Sequence, residues 1–465
     1  GMEKVAAITP KNLWHGTFDS DNVEYDVASV AVLASVDLWR ATGNRKYADK
    51  AVELAQIILD SQERNKPDWD IPIFGFFYTG PSKDRIVHYC HRGRSQAPIL
   101  ALTRLCEAFP DHAQWMKWYS AVALYSQYLK TVAKYTEPYG VMPASIYKDD
   151  EYLTVPESRR ESFRQQVLKG ISLGKGYYLR LFPVWMDYRG HFGTILPQAQ
   201  ALASAAHLRG DLESAGISQH QLEWIIGRNP FSQSTMWGEG YDFAPLYAPF
   251  PGDITGALPV GIQTLGDSDV PYWPVQNTWT YKEIWSHPDC RWIWLMRDLS
   301  GPALVDGQAQ EEVEVKDLTS GYQRAIPIDP ATGHFRAMLP EGRYDIICGD
   351  QVSERTFLPS GSYFLDLRPD RILNYRLSET TTRAGDVTIR ITMEGKGTHQ
   401  FSIRTDNLAI KNTLKEVVLK PGISANLEWH GKIISKNTPW FAVALPDGDL
   451  TQKQEISGAV WNKGD

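Results

Sequence analysis

The sequence predicts a multidomain protein: an α/α-toroid-like helical domain over residues 1–300, then two small all-β sandwich domains over 301–378 and 379–465. Three observations predict it. Helical periodicity returns in pairs of segments joined by short turns up to about residue 300. Between the pairs lie long stretches rich in Gly, Pro and aromatics, which a closed ring of hairpins gathers into a cleft at one end. After Gly301 the apolar spacing turns from helical to alternating.

The elements follow in order. Asp26 to Thr42 is apolar on most sides and stops at Thr42-Gly43-Asn44. Tyr47, Ala51, Leu54, Ala55 and Ile58 then repeat with helical spacing, so the two segments form an antiparallel hairpin. Ile99 to Phe109 pairs in the same way, across Pro110-Asp111, with a helix from Ala113 to about Tyr135. Pro197 to Leu208 pairs across Arg209-Gly210-Asp211 with a helix ending at Gly227. Residues 65–93, 137–157 and 228–277 have the composition of cleft-building connections. Beyond Gly301, Glu311 to Val315 and the run around His334 to Met338 alternate, and Leu339 to Ile347 reads as turn then strand. A second alternating block, from Thr381 to Trp461, carries regular turns such as Lys420-Pro421-Gly422 and suits an immunoglobulin-like sandwich.

Net charge is −7 and the isoelectric point about 5.9, which argues against a nucleic-acid partner and leaves neutral or acidic glycans open. No stretch reaches the ~18 apolar residues of a membrane span. Cys90, Cys106, Cys290 and Cys348 stand far apart, the pattern of buried free thiols and not of a zinc site or disulfide framework. The G-x-S-x-G, P-loop, dinucleotide-fold and H-E-x-x-H patterns are absent, which removes the commonest hydrolase, kinase, dehydrogenase and protease readings. Gly1 ahead of Met2 reads as an expression-tag remnant; a leader upstream of Met2 would direct the protein to the periplasm or out of the cell. Oligomeric state is left open. Tryptophan is abundant, and its flat apolar face with one polar edge suits both core packing and stacking on sugar rings. Trp237, Trp273 and Trp279, with Tyr241 and Tyr281, fall in or beside the last long connection and are candidate substrate contacts.

Gly227-Arg228-Asn229-Pro230, then Ser234, Gly238 and Gly240, then Gly256 to Gly261, then Lys282-Glu283 follow one another over roughly residues 190 to 300. This order resembles the C-terminal third of glycoside hydrolase family 9, inverting glycosidases built on an (α/α)6 toroid. The resemblance implies that Glu283 is the general acid, on the helix that follows the loop. It also implies that the first part of a standard toroid is missing, because seven or eight helices are legible where twelve are expected. The family's D-A-G-D motif, which holds the catalytic base, does not occur. Asp19 and Asp21, after Trp14-His15 and in one acidic cluster with Glu24 and Asp26, are the candidates for that role; Asp before a helix also suits capping. The family's P-H-x-R is replaced here by Ala244 to Pro249. The G-x-F-x-x-x-L-P-x-G-x-Y run from Gly333 to Tyr344 resembles carboxypeptidase-regulatory-like β-sandwiches, accessories of carbohydrate enzymes.

Glycoside hydrolysis needs a proton donor and a second carboxylate across the bond. A Glu283 buried among Trp279, Tyr281 and Trp285 would favour its neutral, donating form; beside Lys282 it could equally be an exposed helix residue. His88, His91 and Arg92, in a run that continues to Arg94, form the other dense polar cluster. They could grip a glycan or simply cap the helix from Ser95. Two histidines without a third ligand do not define a metal site. The loop acids Asp242, Asp267 and Asp269 could bind sugar hydroxyls or a structural calcium ion, but their spacing is too sparse to define a calcium site, and no cofactor follows. The reading is an inverting glycoside hydrolase acting on a poly- or oligosaccharide. Its rivals are a polysaccharide lyase or epimerase using a His and a Tyr, and a glycan-binding protein without catalysis.

Overall fold

The computed structural model describes residues 23–88, 94–185, 190–247, 254–273, 279–370, 373–382 and 384–461. They divide into two compact units: one runs to Leu208 and resumes over Glu213–Met296, the other comprises Arg209–Leu212 and the chain from Arg297.

The first unit opens with the hairpin α1 (Val23–Thr42) and α2 (Arg45–Asp60). Gly43 takes φ +67°, and Asn44 caps α2 by accepting from the Lys46 backbone N–H at 3.1 Å. Ala51, Ala55 and Ile58 form the buried stripe of α2, at the spacing read from the sequence. A second pair follows, α3 (Ala97–Ala108) and α4 (Trp115–Ala133). Helix α4 is buried on almost every side, including Trp118, Tyr119, Val122 and Leu129, and so forms the centre of the core.

Helical periodicity does not announce the next part. Strands β1 (Ser145–Lys148), β2 (Ile171–Gly174) and β3 (Tyr177–Arg180) form an antiparallel sheet in the order β1-β3-β2, with α5 (Glu157–Leu168) between β1 and β2. Helix α6 (Phe192–Arg209) starts five residues ahead of Pro197, the start expected from the sequence. Backbone bonds from His191 N to Ile262 O and Phe192 N to Val260 O fix the start upstream, and Pro197 is carried inside the helix. Helix α7 is Leu212–Ile225. Among its described residues, the long connection after it contains the two-residue strands β4 (Gln263–Thr264) and β5 (Pro271–Tyr272) and the single turn α8 (Trp279–Lys282), and α9 (Ser286–Leu299) follows.

In the second unit strands replace helices, beginning with β6 (Ala303–Ala309). The first sheet pair uses β7 (Val313–Asp317), β8 (Gln323–Ile326), β9 (His334–Leu339), β10 (Gly342–Cys348), β11 (Gln351–Phe357) and β12 (Ser362–Leu367). Sheets β11-β10-β7-β8 and β12-β6-β9 bury one shared core, with Val315, Ile346 and Phe357 from the former and Val305, Phe335 and Leu365 from the latter. Strand β13 (Leu373–Thr381) runs through the 378/379 boundary read from the sequence, because its alternation already starts with buried Leu373 and Tyr375. It belongs to sheet β13-β14-β18-β16, which packs on β17-β15-β19-β20. Those strands are β14 (Asp386–Gly395), β15 (Gly397–Asp406), β16 (Leu408–Ile410), β17 (Leu414–Leu419), β18 (Ala425–Ile433), β19 (Trp440–Pro446) and β20 (Gln454–Gly458). Both pairs are sandwich-like.

Among the described residues no helix is long and apolar enough to cross a membrane. Cys106 and Cys348 are buried free thiols, whereas Cys290, expected to be buried, is exposed on α9.

Candidate functional site

The Gly-Arg-Asn-Pro segment explains itself once folded. Gly227 leaves the helical path with φ +131° just past the end of α7. The buried Asn229 then closes the helix end. Its Nδ2 donates to Trp224 O (2.7 Å) and Gln233 O (2.9 Å), while its Oδ1 accepts from Phe231 N (3.1 Å). One side chain thus satisfies a terminal helix carbonyl and folds the following loop into a turn. The loop is knitted further by Thr235 N to Ile225 O, Trp237 N to Ala257 O and Gly256 N to Trp237 O.

Glu283 is not on a helix, contrary to the expectation. The single turn α8 stops at Lys282, and Glu283 and Ile284 run extended between two loop segments. Tyr247 N donates to Lys282 O (2.9 Å) on one side; Val260 N donates to Glu283 O (2.8 Å) and Trp285 N to Leu258 O (3.3 Å) on the other. Tertiary backbone pairing has overridden local helical preference. The clasp is anchored in turn by Asp289 Oδ1, which accepts from Leu258 N at 2.8 Å, and by the α6 start on Val260 and Ile262. The half-buried Glu283 carboxylate accepts from Trp285 Nε1 at 2.6 Å through Oε2. Its neighbour Lys282 is fully buried with Nζ 4.5 Å from the Trp273 ring centroid, and burial pushes the ammonium down to about 8.

The other expected contacts separate into groups. Trp273 and Tyr281 are buried and pack edge to face with centroids 6.2 Å apart, so they are packing residues and not open stacking surfaces. Trp279 and Tyr241 are exposed, and Trp237 is half-buried beside Phe243. His88 is engaged by its own surroundings: Nε2 meets Glu151 Oε2, Nδ1 lies 3.4 Å from Ser145 Oγ, and the ring stacks on Tyr147 at 3.9 Å. The Tyr147 hydroxyl accepts from Val184 N, and burial pushes this phenol above its ordinary range. Asp269, expected as a sugar or calcium ligand, instead binds Leu181 N, Phe182 N and the buried Arg180 guanidinium at 3.2, 3.1 and 3.0 Å. Asp242 accepts from Gln233 Nε2. Asp19, Asp21, His91 and Arg92 lie outside the described residues. Among the described residues no group of three or more His, Cys, Asp or Glu could hold a metal ion.

Two perturbed groups are not among the candidate site residues: Asp26 enters the sequence reading only as a helix start and a member of an acidic cluster, and His191 not at all. Asp26, in the first turn of α1, is pushed up to about 6 by burial, with Arg94 and Arg291 pulling the other way. Its Oδ1 is buried without a hydrogen-bond partner, and its Oδ2 lies 3.8 Å from Arg94. Arg291 of α9 also meets Gln200 of α6 and His287, joining three helices around this carboxylate. His191 is fully buried, and burial pushes its imidazole down to about 3. It is therefore neutral, its Nε2–H donating to Met142 O at 3.1 Å while Nδ1 has no partner.

No family model matches the chain, and no curated protein does. Among solved structures, endoglucanase CelQ from Clostridium thermocellum, complexed with cellobiose and cellotriose, aligns over 95% of this chain and 91% of its own, at 8% identity and a TM-score of 0.18. A candidate carbohydrate binding protein from Bacteroides uniformis aligns over 34% and 100%, at 11% identity and 0.16. A DUF3823 family protein from Bacteroides ovatus aligns over 34% and 99%, at 12% identity and 0.13. Likeness this slight leaves the functional reading to the residues themselves.

Proposed function

We propose that the chain is a carbohydrate-active protein of the glycoside hydrolase family 9 type, whose helical unit is of the α/α-toroid kind. On this reading it hydrolyses glycosidic bonds with inversion, and Glu283 is the proton donor. The two sheet pairs after Gly301 are accessory modules. The observation that carries the proposal is the mounting of Glu283. Backbone bonds hold its main chain on both sides, and the Trp285 indole orients one carboxylate oxygen. A general acid must be held in place before the substrate arrives; here backbone bonds fix the Glu283 main chain and one indole hydrogen bond steadies its carboxylate, which supports the reading. The order of residues from Gly227 to Glu283 supports the family. Asp19 and Asp21 remain the proposed source of the base, which in an inverting pair stands about 6.5–9.5 Å from the acid to admit one water.

The test is Glu283→Gln, which keeps the shape and removes the donatable proton. Turnover of an oligosaccharide should fall by about a hundredfold or more, with unchanged thermal unfolding. Full activity in the variant refutes the assignment. Products absorbing as unsaturated uronates would establish the lyase reading, and wild-type binding without any cleavage the non-catalytic one.

A further inference from the structure

The two sheet pairs of the second unit meet where β11 runs beside β13, and the Ser353 hydroxyl of β11 donates to Leu373 O of β13 at 3.1 Å. Arg355 lies two residues further along β11, on the same face. Its cross-strand partner on β10 is Tyr344, a buried member of the first core, so the arginine points inward at the margin of its sheet. Two groups of the second sheet pair bear on it: Asp449, in the turn between β19 and β20, and the Tyr375 hydroxyl of β13. Burial works against the positive charge and lowers the guanidinium to about 10.

The chain satisfies one corner of this guanidinium and leaves an edge. Nη1 meets Ser353 Oγ and donates to Glu354 O at 2.9 Å, both acceptors on its own strand. Nε is buried, and among the described residues neither it nor Nη2 meets an acceptor. Asp449 does not supply one. Its Oδ1 accepts from Thr451 N (2.8 Å) and Thr451 Oγ1 (2.7 Å), and its Oδ2 from Gln452 Nε2 (3.0 Å). The Tyr375 hydroxyl donates to Gln452 O.

Exposed arginines of the same unit show what this edge takes. Arg336 Nε and Nη2 donate to the two oxygens of Asp306 at 2.7 and 3.1 Å. Arg368 grips Asp366 with the same two nitrogens. On Arg355 the corresponding pair of parallel N–H groups meets no carboxylate of the described chain. A guanidinium withdrawn from water gains more from an oxyanion than an exposed one does. Part of the Arg355 surface remains open, so a small group can reach it.

We infer that Arg355 anchors an oxyanion site at the β11–β13 junction, where a small carboxylate or a phosphate lies in the fork of Nε and Nη2. The site makes no use of Glu283, so it is independent of hydrolysis.

The experiment uses the full chain with isotope-labelled arginine side chains, and sodium acetate and sodium phosphate as probes. Sodium chloride at matched ionic strength is the control. The Arg355 Nε–H resonance is identified as the one missing from Arg355→Lys. It should move and saturate with acetate, with phosphate or with both, and stay in place with chloride. Response to acetate alone identifies a carboxylate ligand, and response to phosphate alone a phosphate; response to both supports the shared oxyanion chemistry. The same oxyanion should raise the unfolding temperature of the wild-type chain above that of the chloride control. Arg355→Gln should weaken binding about tenfold or more, and Arg355→Lys, which keeps the charge and loses the fork, severalfold. If Arg355→Gln does not fold, Arg355→Lys and the wild-type resonance decide. A merely structural arginine would shift unfolding in the variants without changing the effect of the oxyanion. That result, a resonance unmoved by both probes, a response that chloride reproduces, or equal affinity in Arg355→Lys overturns the inference.

Discussion

Replacing His191 by glutamine should flatten the acid side of the protein's stability profile. In the fold the imidazole is held neutral, with its titration moved from an ordinary 6.5 down to about 3 by burial. The unfolded chain therefore takes up a proton below 6.5 that the folded chain refuses. Stability attached to this group is present above pH 6.5 and is lost as pH falls toward 3. Between pH 7 and pH 5 the loss is about 2 kcal/mol, or roughly thirtyfold in the unfolding constant. The side chain introduced by His191→Gln would carry no such proton, and its amide can donate to Met142 O in place of Nε2–H. The variant loses some stability at pH 7, but its curve should fall by about 2 kcal/mol less on going to pH 5. Asp26 titrates in the same window with the opposite sign, because its raised folded value stabilises the fold at low pH and that contribution is lost toward 6. It is common to both proteins, so comparing their slopes isolates His191. Urea unfolding followed by tryptophan fluorescence at pH 5, 6 and 7 measures this. Parallel profiles for the two proteins would refute a neutral, proton-refusing His191.

Asn229→Ala removes four hydrogen bonds, one of them long, and leaves the Trp224 carbonyl short of a partner, so it should cost about 2–3 kcal/mol in urea unfolding. An effect near zero would mean the loop closes without it. At Gly261, with φ +134°, a Cβ would stand 2.4 Å from Phe192 N and 2.6 Å from His191 N, both unyielding backbone atoms. Gly261→Ala should therefore lower stability by about 2 kcal/mol and, on the proposed hydrolase reading, lower turnover together, by shifting the clasp around Glu283; an unchanged turnover number would show that the clasp does not position the proposed acid.

The helical hairpins were legible because their signals are local. The Thr42-Gly43-Asn44 stop and the Ala51, Ala55, Ile58 stripe act within a few residues and survive into the fold. Alternation was equally plain in β14, whose residues are alternately outward and buried. What escaped the reading is set by contacts distant in sequence. Trp279 to Trp285 carries a helix-like pattern, yet backbone donors from Tyr247 and Val260 pull Glu283 into an extended path. The four-residue strands β1 to β3 are too short for a period to declare itself, and only their pairing defines them. Lys282 is buried with its Nζ 4.5 Å from the Trp273 ring centroid, and nothing nearby in the sequence marks it as internal.

The clasp around Glu283 has a consequence for variation. Its bonds join main-chain atoms, and main-chain atoms are the same whatever side chain a residue carries. Positions 247, 258, 260 and 284 can therefore change their side chains, within the limits of packing, while the Glu283 main chain stays at its station. Diversity at those positions would change the packing around Glu283 and leave its main-chain placement alone.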